Sequence, residues 1–351
     1  MPMTANNNCI IYPSIQKLNV NRFARVVSTG IGLPEKVMNN QDIIDRYHLF
    51  ATDRAVQYTL GIKERRWVDP EEKLTQLMAR AVTECLERAG VDIEKVDRVI
   101  YSKLLGDDQI PAAALGLLRE LGVAKGIPAF DISSACSGFM HALDMALRYI
   151  GTGDDYVLIL GGGITSSGTQ SWGLPDPKTV FMFGDAIVAM LLEKTAKRHF
   201  LASYLFTNHL LYYNAYIPMG TTFLKSSADQ FNPGIYTMQI PDGKVIHNSV
   251  VESARIVADK LLQETGLTIG DIDIFVTSEQ NTQIWEAQLD VLKIPKEKSL
   301  SVFWKYGNTV AAMSPLMLDE LITSGRLQRG MLVMMMAHGA GASSGGCIFR
   351  Y

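Results

Sequence analysis

The 351-residue sequence has few cysteines, no cluster of positive charge and no long apolar run. Its four cysteines form no CxxC pair, which argues against a metal site or a disulfide framework and fits a reducing cytoplasm. The 33 Lys and Arg residues are outnumbered by 36 Asp and Glu residues, which argues against a protein that binds nucleic acid. No apolar run approaches the ~20 residues that span a membrane.

Residues 1–22 are polar and rich in asparagine, without the apolar core of a signal peptide, so we expect a loose N-terminal extension. The sequence as a whole is typical of a soluble α/β protein, with 47% apolar and 20% charged residues. We therefore expect a cytoplasmic protein that needs no metal or cofactor and that binds neither nucleic acid nor a membrane.

One stretch combines a short apolar strand, a tight turn and a helix. Residues 127–132 are apolar as a buried strand is, and apolar residues recur at helical spacing from Phe139 to Ile150, just before Gly151. Cys136 lies in the turn between them, a geometry in which hydrolases also expose a nucleophile. The positive end of the following helix would favour a thiolate, which attacks thioesters readily. A buried and inert cysteine is the alternative.

The sequence also contains an internal repeat. Residues 89–102 resemble residues 265–278, with Gly, Ile, Asp and Ser at equivalent positions. This repeat predicts two similar α/β halves, each with a sheet and a central helix. The central helices would cover residues 137–150 and 313–323. We expect their N-termini to meet where the cysteine turn joins the turn at residues 306–309.

Together with several short motifs, these features resemble the thiolase superfamily and, within it, β-ketoacyl-acyl-carrier-protein synthase III. The motifs are GIGLPE (30–35), LGIKERR (60–66), PAFDISSACSGF (128–139), FGD (183–185), YGNT (306–309), GRLQRGMLV (325–333) and GAG (339–341). The resemblance runs from about Phe23 to Tyr351. It implies a homodimer with a thiolase-like α/β fold, in which two duplicated halves, 23–195 and 196–351, form five α-β-α-β-α layers.

The resemblance also implies a set of catalytic residues. Family members acylate a cysteine, here Cys136, and condense the acyl group with malonyl-carrier protein. A His and an Asn stabilise the enolate left by decarboxylation, and the Asn corresponds to Asn308, for which a helix cap is the alternative role. The His should begin a His-Gln-Ala-Asn segment, but residues 278–281 read Ser-Glu-Gln-Asn. Ser278 therefore replaces a group that can titrate near neutrality. The backbone amides of Cys136 and Ala340 would form the oxyanion hole.

His338 is the candidate replacement for the missing His. It stands where synthase III enzymes usually have a Phe beside the cysteine, so it could activate the thiol or protonate a leaving group. A loop histidine held by a backbone carbonyl is the alternative. Ile110 should reach the partner's acyl pocket and, being smaller than the family's Phe, admit a larger acyl group. Ala55, Pro177 and Gln283 stand where the family has residues that bind CoA or the carrier protein, which leaves the acyl donor open.

Three functions follow from these residues. The first is a condensing enzyme that passes an acyl group from Cys136 to a malonyl or β-keto thioester in secondary or specialised lipid metabolism, with acyl-CoA or acyl-carrier protein as donor. The second is an acyltransferase of the same fold that uses His338 as a base towards an alcohol or amine. The third is a non-catalytic subunit that pairs with an active homologue.

Overall fold

The computed structural model describes residues 21–104, 108, 110–171, 174–176, 179–217 and 237–351. The predicted N-terminal extension (1–22) lies outside the described residues except for its last two, and Pro177 lies outside them too. Among the described residues, no helix is both long enough and apolar enough to cross a membrane.

The strands are β1 (Phe23–Gly32), β2 (Val37–Asn39), β3 (Glu64–Arg66), β4 (Arg98–Lys103), β5 (Ala129–Ile132), β6 (Tyr156–Gly163), β7 (Gln170–Ser171), β8 (Leu174–Pro175), β9 (Ala186–Thr195), β10 (Phe200–Thr207), β11 (Ile274–Val276), β12 (Leu332–Gly339) and β13 (Ser343–Arg350). The α-helices are α1 (Asn40–Tyr47), α2 (Asp53–Leu60), α3 (Leu74–Ala89), α4 (Ala113–Glu120), α5 (Gly138–Thr152), α6 (Gly243–Thr265), α7 (Thr282–Leu292), α8 (Phe303–Tyr306) and α9 (Met313–Thr323).

Two sheets carry the fold, and they repeat one plan. The larger sheet has the order β1-β9-β6-β4-β5, and the smaller sheet has the order β10-β13-β12-β11. In each sheet the first three strands of this order are antiparallel, and the next strand runs parallel to the third. The predicted duplication is therefore confirmed. The proposed boundary between the halves, at residue 195, falls between β9 and β10.

The central helices α5 and α9 lie between the two sheets. Both contact strands of the larger sheet, and both contact β12 of the smaller one. Alternate residues of the larger sheet face opposite layers, as the period of a strand requires. Ile159 and Val188 belong to the core that contains α5, whereas Leu158 and Ile187 belong to the core that contains α3. With α6 packed against the smaller sheet, the five predicted layers are confirmed.

The predicted end of the first central helix was wrong by two residues. Gly151 was expected to stop α5, but the helix continues to Thr152 and ends at Gly153, which has a φ of 151°. That conformation is open to glycine and not to other residues. Gly151 itself stays helical, because a glycine in a helix interior weakens the helix without necessarily ending it.

Two 3-10 helices precede the central helices and touch each other. They cover Ala135–Ser137, before α5, and Val310–Ala312, before α9. The predicted meeting of the N-termini of the central helices is confirmed, and the contact is made by residues 310–312, directly after the predicted turn at 306–309. It brings residues more than 170 positions apart in the chain to one place between the sheets.

Candidate active site

Cys136 lies in a sharp turn between β5 and α5, as predicted. The turn is held by Ser137, whose Oγ donates to the carbonyl of Ser134 at 2.9 Å. Ala135 has a φ of 45°, an uncommon conformation for a residue with a side chain. Such backbone strain is concentrated at functional sites. Cys136 as a whole residue is partly exposed, and it lines a pocket.

The structure reverses one expectation for this thiol. Burial raises the pKa of Cys136 to about 12, and the hydrogen bond from its own backbone amide offsets only part of that effect. The predicted preference for a thiolate was therefore wrong for the resting protein. Desolvation disfavours the charged form, so the buried surroundings of the sulfur favour the neutral thiol.

The end of β12 comes unusually close to the cysteine turn. A Cβ built on Gly339 would lie 2.8 Å from the backbone nitrogen of Ser137 and 3.0 Å from that of Cys136. Real Cβ atoms do not approach so closely, so only glycine allows this contact. Ala340, the next residue, lines the same pocket as the cysteine.

Asn308 enters the site from the turn before α9. Its backbone nitrogen donates to the carbonyl of Met182 at 2.7 Å, and its carbonyl accepts from the nitrogen of Gly184 at 3.3 Å. Its side-chain Oδ1 accepts from the nitrogen of Val310 at 2.9 Å, which fixes the turn, but the N-cap of the 3-10 helix that follows is Thr309 and not Asn308. Since Oδ1 is engaged, the Nδ2 of Asn308 is the group that remains to donate into the pocket.

His338, the next-to-last residue of β12, is 2% exposed. Its Nδ1 lies 3.1 Å from the hydroxyl of Ser344. Its Nε2 is buried and has no hydrogen-bond partner among the described residues. Burial lowers the pKa of this imidazole to about 3, so the ring is neutral at physiological pH. The predicted titratable group near neutrality is therefore absent from this position.

Ser278 lies behind His338 and does not line the pocket. Its Oγ accepts from the backbone nitrogen of His338 at 2.9 Å and lies 3.4 Å from the carbonyl of the same residue. This placement differs from the prediction of a catalytic Ser278, because its hydroxyl is occupied by the backbone of β12. Gln280 lines the pocket instead, and its Nε2 donates to Ser278 Oγ at 3.2 Å and to the carbonyl of His338 at 3.0 Å.

A single pocket of about 440 Å³ collects the predicted groups. Cys136, Asn308, His338 and Ala340 all line it, together with Gln280. None of the described residues in its wall is an Asp, Glu, Lys or Arg. Most of the wall is apolar, from side chains that include Leu60, Leu104, Met182, Ile240, Ile246 and Ile284. Such a wall suits an apolar chain with a polar reacting end.

The other predicted binding residues lie outside this wall. Ile110 does not line the pocket, and its side chain is 86% exposed in the single chain, so its reach into a partner stays a prediction. Ala55 and Gln283 are exposed, and Gln283 donates to the carbonyl of Thr59 at 3.0 Å. Among the described residues, no group of three or more His, Cys, Asp and Glu side chains is placed to hold a metal ion.

Sequence reasoning missed two amides in the pocket wall. Gln280 has a buried Oε1, and Asn214 has a buried Nδ2, and neither atom has a partner among the described residues. The sequence contained a signal for Gln280, because this residue occupies the position of the Ala in the family's His-Gln-Ala-Asn segment. Asn214 lies between aromatic residues of a loop and has no comparable signal.

Comparison with known proteins gives consistent results. Two family models match the chain: 3-oxoacyl-[acyl-carrier-protein (ACP)] synthase III over residues 130–209, and the C-terminal part of the same synthase over residues 262–351. The β-ketoacyl-[acyl-carrier-protein] synthase III of Alkalilimnicola ehrlichii is 32% identical over 94% of this chain and 99% of its own length. That of Aquifex aeolicus is also 32% identical, over 93% and 99%.

Solved structures show the same likeness. The 3-oxoacyl-[acyl-carrier-protein] synthase III from Aquifex aeolicus VF5 has a TM-score of 0.82 and 29% identity, covering 93% of this chain and 100% of its own. The priming β-ketosynthase of the R1128 polyketide pathway has a TM-score of 0.84 and 25% identity, covering 96% and 98%. A variant of Xanthomonas campestris OleA shares the fold, with a TM-score of 0.81 and 18% identity over 95% and 99%.

Proposed function

The chain belongs to the 3-oxoacyl-[acyl-carrier-protein] synthase III family of condensing enzymes, and we propose that it carries its acyl group as a thioester on Cys136. The observation that supports this most directly is the shared pocket. One partly exposed cysteine, two side-chain hydrogen-bond donors and the loop at Ala340 face one apolar cavity. These are the parts that acyl transfer and decarboxylative condensation need.

In the first half-reaction the sulfur of Cys136 attacks the carbonyl carbon of an acyl thioester. The new S–C bond forms as the bond to the donor sulfur breaks, and the thiol proton leaves with the donor thiol. Because burial raises the pKa of the resting thiol to about 12, the sulfur is protonated before the substrate binds, and its proton must be lost in the course of this half-reaction. The backbone amides of Cys136 and Ala340 stabilise the oxyanion of the tetrahedral adduct.

In the second half-reaction a malonyl thioester loses carbon dioxide, and the resulting enolate attacks the acyl carbon. A new C–C bond forms, and the sulfur of Cys136 leaves and regains a proton. Nδ2 of Asn308 and Nε2 of His338 donate hydrogen bonds to the enolate oxygen. Nε2 carries the ring proton when the Ser344 hydroxyl donates to Nδ1. A neutral imidazole in this role is a known way to polarise a carbonyl.

The two alternatives are less well supported. Acyl transfer to an alcohol or amine requires His338 as a base, and a ring with a pKa of about 3 holds an abstracted proton poorly. A non-catalytic subunit would not need a cysteine that opens into a pocket beside Asn308. We further propose acyl-CoA or acyl-carrier protein as donor, a homodimer in which Ile110 reaches the partner, and a place in specialised lipid metabolism. The departure of residues 278–281 from the family's His-Gln-Ala-Asn segment supports the proposed place in specialised lipid metabolism.

The test follows the two half-reactions separately. The full-length protein is incubated with octanoyl-CoA and with octanoyl-carrier protein, and peptide mapping by mass spectrometry locates any added acyl group. Malonyl thioester labelled in its free carboxylate is then added, and release of labelled carbon dioxide is measured. An acyl group on Cys136 followed by carbon dioxide release is the expected result. Absence of an adduct from both donors would refute the proposal.

A matched pair of variants separates the donor role of Asn308 Nδ2 from the hydrogen bond that its Oδ1 accepts from Val310. Asn308→Asp keeps the oxygen that accepts from Val310 but loses Nδ2, so acylation should persist while carbon dioxide release falls. Asn208→Asp is the control. Its Oδ1 accepts from the nitrogen of Leu210 in the same local pattern, at 3.2 Å, and it does not line the pocket. Equal losses in both variants would remove Asn308 from the mechanism.

A further inference from the structure

We propose that Gln280 determines substrate specificity in this pocket: its side-chain Oε1 accepts a hydrogen bond from a neutral N–H or O–H group of the bound thioester. The inference rests on the proposed function, because it assumes that thioesters bind beside Cys136. It adds a chemical requirement on the substrate that the condensation itself does not impose.

The orientation of the Gln280 amide is fixed by its neighbours. Nε2 lies 3.0 Å from the carbonyl oxygen of His338, which accepts only, and 3.2 Å from Oγ of Ser278. Turning the amide over would place Oε1 against that carbonyl, two acceptors in contact with no proton between them. The NH₂ group therefore faces β12, and Oε1 points away from it.

Oε1 is then a buried acceptor with nothing to accept from. It is buried in a residue that lines the pocket, and no described residue donates to it. Buried side-chain oxygens in folded proteins are normally paired, because an unpaired one is unfavourable. Nε2 of His338, on a side chain that is 2% exposed, is also buried and unpaired in this wall, and so is Nδ2 of Asn214. Three such atoms in one pocket wall indicate a ligand with complementary polar groups.

The chemistry of the wall restricts the donor that Oε1 would meet. No described residue in the wall carries a carboxylate that could pair with an ammonium group, and an unpaired charge is costly to bury. The donor is therefore neutral. A thioester substrate offers two such groups, the amide N–H of a pantetheine-type thiol arm and a hydroxyl on the acyl chain.

The short side chain at 278 makes this arrangement possible. Nε2 of Gln280 reaches Ser278 Oγ at 3.2 Å, in space that a larger side chain at 278 would fill. The resemblance expects His at 278 and Ala at 280, so the two departures occur together in one segment. Ser278 and Gln280 form one unit that braces the backbone of His338 and leaves Oε1 of Gln280 without a donor among the described residues.

The test measures binding without chemistry. Four octanoyl ketone probes are used, in which a methylene group replaces the thioester sulfur so that Cys136 cannot be acylated. Two carry an N-acetylcysteamine-type amide arm, and two carry the same arm with the amide N–H replaced by an ester oxygen. Within each pair, one probe has a hydroxyl at carbon 3 of the acyl chain. Calorimetry gives the Kd of each probe for the full-length protein, for Gln280→Met and for the control Gln263→Met.

We expect one of the two donor groups to tighten binding to the wild type about 10-fold, the order of one buried hydrogen bond. Gln280→Met should lose that preference to within about 2-fold, while Gln263→Met, at an exposed position of α6, should keep it. The group that donates to Oε1 is the amide N–H if its replacement by an ester oxygen weakens binding, and the hydroxyl if its omission weakens binding.

Three results would overturn the inference. The wild type could bind all four probes equally or bind none of them, or Gln280→Met could retain the wild-type preference. The first two outcomes are measured on the wild type, so the inference can be refuted even if Gln280→Met does not fold. Acylation of Cys136 by octanoyl thioesters is measured in a separate assay, so failure of this inference is distinguishable from failure of the proposed function.

Discussion

Glu279 gives the sharpest prediction, because it is a carboxyl group with no exposed surface. Its Oε1 accepts from the Ser301 hydroxyl, and its Oε2 accepts from the backbone nitrogens of Val302 at 2.8 Å and Phe303 at 3.1 Å. No described cation forms an ion pair with it. Burial outweighs these hydrogen bonds and raises the pKa of Glu279 to about 7 from an ordinary 4.5.

This difference makes stability depend on pH in a defined direction. The folded protein holds the Glu279 proton more tightly than the unfolded chain does, so the bound proton stabilises the folded state. This stabilisation is fully present below pH 4.5 and is lost as the pH rises to about 7. At about 1.4 kcal/mol per pH unit, the free energy of unfolding should fall by about 3 kcal/mol over that window. Above pH 7 this contribution should stay constant.

Glu279→Gln removes the titration and keeps the hydrogen bonds. Its Oε1 can accept from both backbone nitrogens, and its Nε2 can donate to Ser301 Oγ. The variant should match the wild type near pH 4.5 and exceed its free energy of unfolding by up to about 3 kcal/mol at pH 8.

Urea unfolding at fixed protein concentration, at intervals from pH 4.5 to pH 8, measures this difference. Glu264→Gln, at an exposed position of α6, is the control and should keep the wild-type slope. If the difference between wild type and Glu279→Gln is the same at every pH, Glu279 is ionised in the folded protein and the reasoning is wrong.

Three further predictions concern the site itself. Cys136→Ala should abolish the acyl adduct seen by mass spectrometry, and an adduct that persists would place the nucleophile elsewhere. His338→Ala should slow carbon dioxide release by about 10²-fold, and because burial lowers the pKa of His338 to about 3, the wild-type rate should show no step near pH 6.5 that this variant removes. Gly339→Ala should displace the turn at Ser137 and slow acylation by about 10²-fold, whereas Gly151→Ala, whose Cβ would meet only one atom at 4.0 Å, should leave the rate unchanged.

The elements around the cysteine could be predicted because their signals are local. The apolar strand, the turn at Cys136 and the helical spacing after Phe139 all depend on neighbours within a few positions. The repeat of residues 89–102 at 265–278 then gave the two halves and the meeting of their central helices. The error at Gly151 came from the same kind of reasoning, since only the backbone shows that Gly153 takes the conformation that ends α5.

The roles of the site residues could not be reached in this way. Motif position placed Ser278 among the catalytic groups, but its hydroxyl is occupied by the backbone of His338, 60 residues further along the chain. Helix position favoured a thiolate at Cys136, but the apolar wall around the sulfur raises its pKa. The unpaired oxygen of Gln280 is visible only once β12 is in place beside it.

The positions of strands, helices and turns can therefore be predicted from the sequence alone, because backbone preference and apolar spacing act over a few residues. Only the tertiary structure determines the protonation states of Cys136 and His338 and the hydrogen-bond partners of Ser278 and Gln280. Desolvation and hydrogen bonding depend on which distant segments close around a group, and here these segments come from both sheets and from the two turns that meet between them.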